Sequence, residues 1–163
     1  MISDAFTFSF RKAYPPVSVA IFEDVKEVLD AYLARFERLR GVSLACRATV
    51  DNADQAIKIF QRSRPSIVIT DLSLGEKANT DGFTILRFIK AESKRTAVAL
   101  ATLHSAESTT CIEAEIRQRP FDAVFHKTDF KGISAFITAK VGEFQMEPLE
   151  HSICFRRAQF RCP

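Results

Sequence analysis

The chain has 163 residues, of which 47% are hydrophobic and 26% are charged, and these values are ordinary for one soluble domain with a sizeable core. No apolar run approaches the ~20 residues of a membrane-spanning helix, and the N-terminus lacks the pattern of a secretion signal. The formal charge of +3 lies mostly in residues 1–16 and 145–163. The remaining body is therefore too nearly neutral to hold DNA through a general positive field, and a nucleic-acid partner is not expected.

Apolar runs of strand length alternate with helical patterns along the chain. The predicted strands are residues 17–22, 42–50, 66–70, 97–101 and 121–126. The predicted helices are residues 25–39, 53–62, 83–89, 107–119 and 131–144. Gly41 is a typical stop for the first helix, Asn52 with Gln55 resembles a capping box for the second, and Thr128 or Asp129 could cap the last.

Five strands that alternate with five helices predict a parallel sheet covered on both faces, which is a doubly wound α/β domain. The apolar runs are continuous rather than alternating, as expected for strands buried on both faces. We assign this domain to residues 17–144. Residues 1–16 are interpreted as an N-terminal arm, and residues 145–163 as a C-terminal tail.

Polar residues follow four of the predicted strands, at the point where each strand ends. They are Glu23 and Asp24, Asp71, Thr102, and Lys127. Because the carboxyl ends of parallel strands meet in one crevice, three carboxylates, one hydroxyl and one ammonium group should converge there. A carboxylate can attack a phosphoryl group to form an acyl phosphate, and a hard divalent cation with a lysine would offset the negative charges involved.

The segments that contain these residues resemble the receiver domain of two-component response regulators. The match covers roughly residues 17–144, and its motifs occur in the family's order. They are Ile21-Phe22-Glu23-Asp24, Val68-Ile69-Thr70-Asp71-Leu72, Asp81-Gly82, Leu100-Ala101-Thr102-Leu103-His104 and Phe125-His126-Lys127-Thr128-Asp129. The resemblance implies a flavodoxin-like (βα)5 fold with strand order 2-1-3-4-5.

By this resemblance Asp71 would be the phosphoacceptor. Glu23, Asp24 and Asp71, together with the backbone carbonyl of Ser73, would hold Mg²⁺ or Mn²⁺. The chain would then be a signalling module rather than an enzyme, and its own catalysis would be limited to phosphoryl transfer onto itself and autodephosphorylation.

Thr102 would be the switch hydroxyl and Lys127 the phosphate-binding lysine in the same scheme. The implied phosphodonor is a histidine kinase or a histidine phosphotransfer protein. The output would be contact with a downstream protein, and the surface of helix 107–119, strand 121–126 and helix 131–144 could also support a homodimer. Four cysteines without close spacing, in a fold that is typically intracellular, predict free thiols and a cytoplasmic location.

The sequence departs from the family pattern at three places. Gly75 stands four residues after Asp71, where receivers usually have proline. Asp81 lies ten residues after Asp71 instead of seven, so the intervening loop is about three residues longer. Val124, three residues before Lys127, replaces a residue that is often aromatic and turns inward on activation. These changes affect the expected readout more than the expected chemistry.

Three other functions are compatible with parts of the pattern. A degenerate receiver would keep the fold as an interaction module without being phosphorylated. An aspartyl-phosphate phosphatase would need a second acid two residues after the nucleophile, where this chain has Ser73. A flavin-binding protein would need a phosphate-binding loop after the first strand, where Glu23 and Asp24 would repel a phosphate.

Overall fold

The computed structural model describes residues 14–75, 81–103 and 121–146. The strands are β1 (Val17–Phe22), β2 (Val42–Leu44), β3 (Ile67–Thr70), β4 (Ala97–Thr102) and β5 (Ala123–His126). The helices are α1 (Lys26–Phe36), α2 (Ala53–Ser63), α3 (Asp81–Glu92) and α4 (Phe130–Met146). The helix predicted at 107–119, residues 1–13 of the arm, the loop 76–80 and the tail beyond 146 lie outside the described residues.

The five strands form one parallel sheet in the order β2-β1-β3-β4-β5. In the centre of the sheet, Phe22 of β1 is paired with Thr70 of β3, and Thr70 with Leu100 of β4. This topology confirms the predicted doubly wound, flavodoxin-like fold. It also places the carboxyl ends of β1, β3, β4 and β5 along one edge of the domain.

The core has two halves, one on each face of the sheet, because successive side chains of a strand point in opposite directions. In β1, Val19 and Ile21 belong to the cluster that includes buried residues of α1 and α4. Ala20 and Phe22 belong to the cluster that includes buried residues of α2 and α3. Burial on both faces explains why the strand was apolar at almost every position.

The second strand is shorter than predicted. Pairing with β1 ends at Leu44, and the expected strand to Val50 is wrong. Ala45 still donates its N–H to the Val19 carbonyl at 2.8 Å, but the chain then leaves the ladder. Val50 crosses to the α2 and α3 side of the sheet, where its side chain is buried and its N–H donates to the Glu23 carbonyl at 2.9 Å.

The predicted caps of α2 and α4 are confirmed, but the predicted end of α1 is wrong. α1 ends at Phe36 with Glu37 as its C-cap residue, and Gly41, with a φ of +78°, lies in the turn before β2. Asn52 Oδ1 accepts from the Gln55 N–H at 3.0 Å, and Gln55 Oε1 accepts from the Asp51 N–H at 3.1 Å. At the start of α4 it is Asp129, not Thr128, that caps, since its Oδ1 accepts from the Gly132 N–H at 2.8 Å. None of the helices in the described part of the chain is long and apolar enough to cross a membrane.

Candidate functional site

Three carboxylates meet at the carboxyl end of the sheet, as the sequence predicted. Glu23 and Asp24 follow β1, and Asp71 follows β3, its parallel neighbour. The Asp71 N–H donates to the Phe22 carbonyl at 3.0 Å, which fixes Asp71 beside the acidic pair. One oxygen from each carboxylate lies within 4.8 Å of the others. Three hard oxygen donors at this spacing suit a divalent cation such as Mg²⁺ or Mn²⁺.

Lys127 joins two of these carboxylates. Its Nζ lies 2.8 Å from Glu23 Oε1 and 2.7 Å from Asp71 Oδ2. All three side chains are buried, with 2% of the Glu23 side chain exposed, 8% of Asp71 and 5% of Lys127. A buried ammonium group that is shared between two carboxylates forms strong, charge-assisted hydrogen bonds and leaves the cluster with net negative charge.

Backbone N–H groups donate further hydrogen bonds to the three acidic side chains. Asp71 Oδ1 accepts from the Leu72 N–H at 2.6 Å, and Glu23 Oε1 accepts from the Val25 N–H at 3.2 Å. Asp24 is half-buried, and its Oδ2 accepts from the Gly75 N–H at 2.9 Å. These bonds orient each carboxylate before any ligand binds.

Burial is the main influence on the protonation of the cluster. It raises the pKa of Asp71 and of Glu23 above their ordinary values, and the hydrogen bond and positive charge of Lys127 offset only part of this effect. Burial by itself would lower the pKa of Lys127, but the two carboxylates raise it overall. The lysine therefore stays charged, and the crowded carboxylates favour any further cation.

Thr102 is the last residue of β4, the strand between β3 and β5, and it is buried. Its carbonyl accepts the Lys127 N–H at 3.0 Å, so the hydroxyl-bearing and lysine-bearing segments are joined at this end of the sheet. Ser73 lies in the loop after β3, half-buried, and its Oγ is buried without a hydrogen-bond partner among the described residues. The switch role of Thr102 and the metal-binding role of the Ser73 carbonyl stay predictions.

Two glycines allow the backbone to approach the site closely. Gly75 has a φ of +76°, which proline cannot adopt, and it supplies the N–H that holds Asp24. A Cβ on Gly82 would lie 2.5 Å from the Asp71 carbonyl oxygen, so the Asp81-Gly82 pair lets α3 begin directly against the Asp71 loop. The sequence shows Gly75 only as a departure from the usual proline, and it does not reveal the N–H that glycine supplies to Asp24.

Tyr32 is the residue at this site that sequence reasoning overlooked. It lies within the helix predicted at 25–39, and its side chain is buried there. Its hydroxyl, however, donates to the Lys127 carbonyl at 2.8 Å. The residue type itself could have indicated such a contact, because the hydroxyl group of a buried tyrosine usually has a hydrogen-bond partner.

The comparison with known families agrees with this geometry. The model described as the response regulator receiver domain matches residues 19–125. The chain belongs to the response regulator receiver family. It is therefore a receiver domain of the two-component signalling type, a family in which phosphorylation and Mg²⁺ are typical. A search of curated proteins found no match.

Solved structures of receivers share its fold at low sequence identity. A DNA-binding response regulator of the LuxR family from Staphylococcus aureus is 18% identical with a TM-score of 0.64, and the match covers 77% of this chain and 98% of that one. The receiver domain of NarL from Mycobacterium tuberculosis is 15% identical with a TM-score of 0.63, covering 79% and 98%.

A longer Salmonella typhimurium RcsB chain, described by its conformational dynamism for DNA interaction, is 18% identical with a TM-score of 0.62. The match covers 83% of this chain but only 64% of the RcsB chain. At these identities the structural matches establish the fold alone.

Proposed function

We propose that Asp71 accepts a phosphoryl group from the phosphohistidine of a histidine kinase or a phosphotransfer protein, and that the phosphorylated domain signals through contact with another protein. The observation that supports this most strongly is the shared ammonium group of Lys127, which lies 2.7 Å from Asp71 and 2.8 Å from Glu23 in a buried corner. An ammonium group at this position can form an ion pair with the negatively charged phosphoryl group once it is attached to Asp71.

In the proposed reaction, a carboxylate oxygen of Asp71 attacks the phosphorus atom of the phosphohistidine. The new P–O bond forms as the P–N bond breaks, and the leaving imidazole keeps the electron pair of that bond and takes up a proton. Lys127 balances the negative charge of the phosphoryl oxygens, and the Thr102 hydroxyl donates a hydrogen bond to one of them.

The donor set fits the divalent cation that the family typically uses. Glu23, Asp24, Asp71 and the carbonyl of Ser73 would hold Mg²⁺ or Mn²⁺, and the bound ion would neutralise part of the charge between carboxylate and phosphoryl oxygens. Gly75 supports this by holding Asp24 through its backbone N–H. The proposed chemistry is confined to phosphorylation of the chain itself and its autodephosphorylation.

We place the receiver at residues 17–144, with residues 1–16 and 145–163 as an arm and a tail, and the cytoplasm as its location. The output surface would include β5 and α4, and the same surface together with the helix predicted at 107–119 could support a homodimer. Val124 of β5 is 44% exposed, so a partner could contact this strand directly. Nucleic acid is not part of the proposal, because the body of the chain carries little net charge.

The test is incubation with acetyl phosphate and Mg²⁺, followed by intact-mass measurement and peptide mapping. We expect the wild-type chain to gain one phosphoryl group on Asp71, and Asp71→Asn and metal-free samples to gain none. A folded wild-type chain that is never labelled would favour the degenerate receiver instead. Rapid, repeated hydrolysis of small phosphate esters would favour the phosphatase.

A further inference from the structure

Tyr32 links helix α1 to the backbone of the proposed phosphate-binding lysine. The phenol is almost completely buried, with 1% of the residue exposed, and its hydroxyl donates to the Lys127 carbonyl at 2.8 Å. These two residues are 95 positions apart in the chain. Since a buried hydroxyl without a partner is costly, this bond fixes both α1 and the turn that follows β5.

Aromatic contacts fix the position of the Tyr32 ring from two sides. The ring stacks on Phe36 at a centroid distance of 5.4 Å, and it meets the edge of Phe130 at 5.3 Å. Phe130 begins α4, three residues after Lys127, so the ring and the hydroxyl of Tyr32 both contact the segment between β5 and α4. Such a ring has little freedom to turn its hydroxyl elsewhere.

The main chain of Lys127 is held on both sides of its Cα. Its N–H donates to the Thr102 carbonyl at 3.0 Å, and its carbonyl accepts from Tyr32. The ammonium group then reaches Glu23 and Asp71 from this fixed position. Any change at Asp71 can therefore move the lysine side chain without displacing its backbone.

Tyr32 also lies within the electrostatic influence of the acidic cluster. Burial raises the pKa of its phenol above the ordinary value, and the negative charges of Glu23 and Asp71 raise it further. The hydroxyl consequently keeps its proton at neutral pH and remains a hydrogen-bond donor.

We propose that Tyr32 is a positioning residue for the phosphoacceptor site: its hydroxyl holds the Lys127 carbonyl so that the ammonium group stays within reach of Asp71. This inference rests on the proposed function of Asp71 and Lys127. It assigns to helix α1 a part in the phosphorylation chemistry, although none of the residues proposed to bind the phosphoryl group or the metal lies on α1.

The decisive variant is Tyr32→Phe, because it keeps the ring and its contacts with Phe36 and Phe130 and removes only the hydroxyl. We expect phosphorylation by acetyl phosphate with Mg²⁺ to be about three- to ten-fold slower than in the wild type, the size expected for one hydrogen bond. Binding of Mg²⁺ with the phosphate mimic BeF₃⁻ should weaken by a similar factor, which gives a readout that needs no turnover.

The matched control is Ile137→Val, which removes one methylene group from the same core cluster on α4. Its loss of stability should resemble that of Tyr32→Phe, while its phosphorylation rate and BeF₃⁻ binding stay at the wild-type level. If both variants are slowed in parallel, or if Tyr32→Phe reacts as fast as the wild type, the inference is overturned. A wild-type chain that is not phosphorylated at all would instead overturn the proposed function.

A second measurement tests the positioning role of Tyr32 if Tyr32→Phe does not fold. The chain has two tyrosines and no tryptophan, so in Tyr14→Phe the ultraviolet signal of the remaining tyrosine comes from Tyr32 alone. Addition of Mg²⁺ and BeF₃⁻ to this variant should change the near-ultraviolet circular dichroism and fluorescence of Tyr32, since the charge beside its hydroxyl changes. Spectra that remain constant while BeF₃⁻ binds would overturn the inference.

Discussion

Strands β3 and β5 are each followed by one member of the Asp71–Lys127 ion pair, yet the surroundings of the two strands differ. Every residue of β3 is buried, whereas the residues of β5 alternate between partly buried and exposed. The proposed phosphoacceptor therefore follows a buried strand at the centre of the sheet, while its counter-charge follows the partly exposed edge strand β5. Because Lys127 pairs with Asp71 and directly follows β5, a change of charge at Asp71 can affect the exposed strand β5 through Lys127.

Truncation of a buried side chain in β3 should have the largest effect on stability. Ile69→Ala removes most of a side chain that is 1% exposed, and we expect the free energy of unfolding to fall by about 4 kcal/mol, through lost burial and the cavity that remains. Urea unfolding monitored by circular dichroism measures this loss. A change below about 1 kcal/mol would contradict the interpretation that β3 is the more deeply buried of the two strands.

Removal of the shared ammonium group should have the next largest effect. Lys127→Met leaves Glu23 and Asp71 buried without their common counter-charge, and we expect a loss of about 3 kcal/mol at pH 7 without divalent metal. Mg²⁺ should restore part of that loss, because binding to the native site stabilises it.

Lys140→Met is the control for this loss, because Lys140 pairs with an exposed carboxylate of Glu143 and should contribute less than about 1 kcal/mol. Equal losses in the two lysine variants would mean that the buried pairs of Lys127 have no special role.

Asp71→Asn should stabilise the metal-free domain by on the order of 1 kcal/mol at pH 7, as is common when a strained functional group is replaced. Burial raises the pKa of Asp71 above 3.8, so the folded chain binds more protons than the unfolded chain. Wild-type stability therefore falls as pH rises from 3.8 through the raised pKa of folded Asp71. The advantage of Asp71→Asn shrinks as the pH is lowered toward 3.8.

Urea unfolding at a series of pH values measures this advantage. Asp30→Asn is the control, since Asp30 is an exposed partner of Lys26 and should show no comparable gain. A variant at Asp71 that is less stable than the wild type at pH 7 in the absence of metal would contradict the interpretation.

Substitution on the exposed side of β5 should have the smallest effect on the isolated domain. Val124→Ala truncates a side chain that is 44% exposed, and we expect stability to change by less than about 0.5 kcal/mol with an unaltered rate of phosphorylation. In a pull-down with the cognate partner, the same variant should bind less well once Asp71 is phosphorylated. Unchanged partner binding would move the output surface away from β5.

The local sequence was sufficient to predict most of the sheet. The run from Ser66 to Thr70 is apolar and β-branched, and it forms a buried strand almost at the predicted limits. Residues 45–50 also contain apolar side chains, but they lack the continuous run of a two-faced strand. Their path is decided by Val50, which packs into the core beside α2 rather than continuing along β1.

The functional site was likewise predictable only in part from the sequence. The carboxyl ends of parallel strands converge, so the sequence alone is sufficient to group Glu23, Asp24, Asp71 and Lys127. The N–H that Gly75 donates to Asp24 could not be predicted in this way. It depends on a positive φ and on the path of a loop, which no periodicity records.

By itself, the sequence determined the fold class, the family and the set of groups at the carboxyl end of the sheet, because hydrophobic periodicity and strand-end chemistry are local properties. Only the tertiary structure decided that Lys127 is shared between Glu23 and Asp71, and that Tyr32 holds its carbonyl. The contacts of Lys127 with Tyr32 and Glu23 join residues 95 and 104 positions apart. Their geometry depends on strand register and on the packing of α1 and α4 against one face of the sheet.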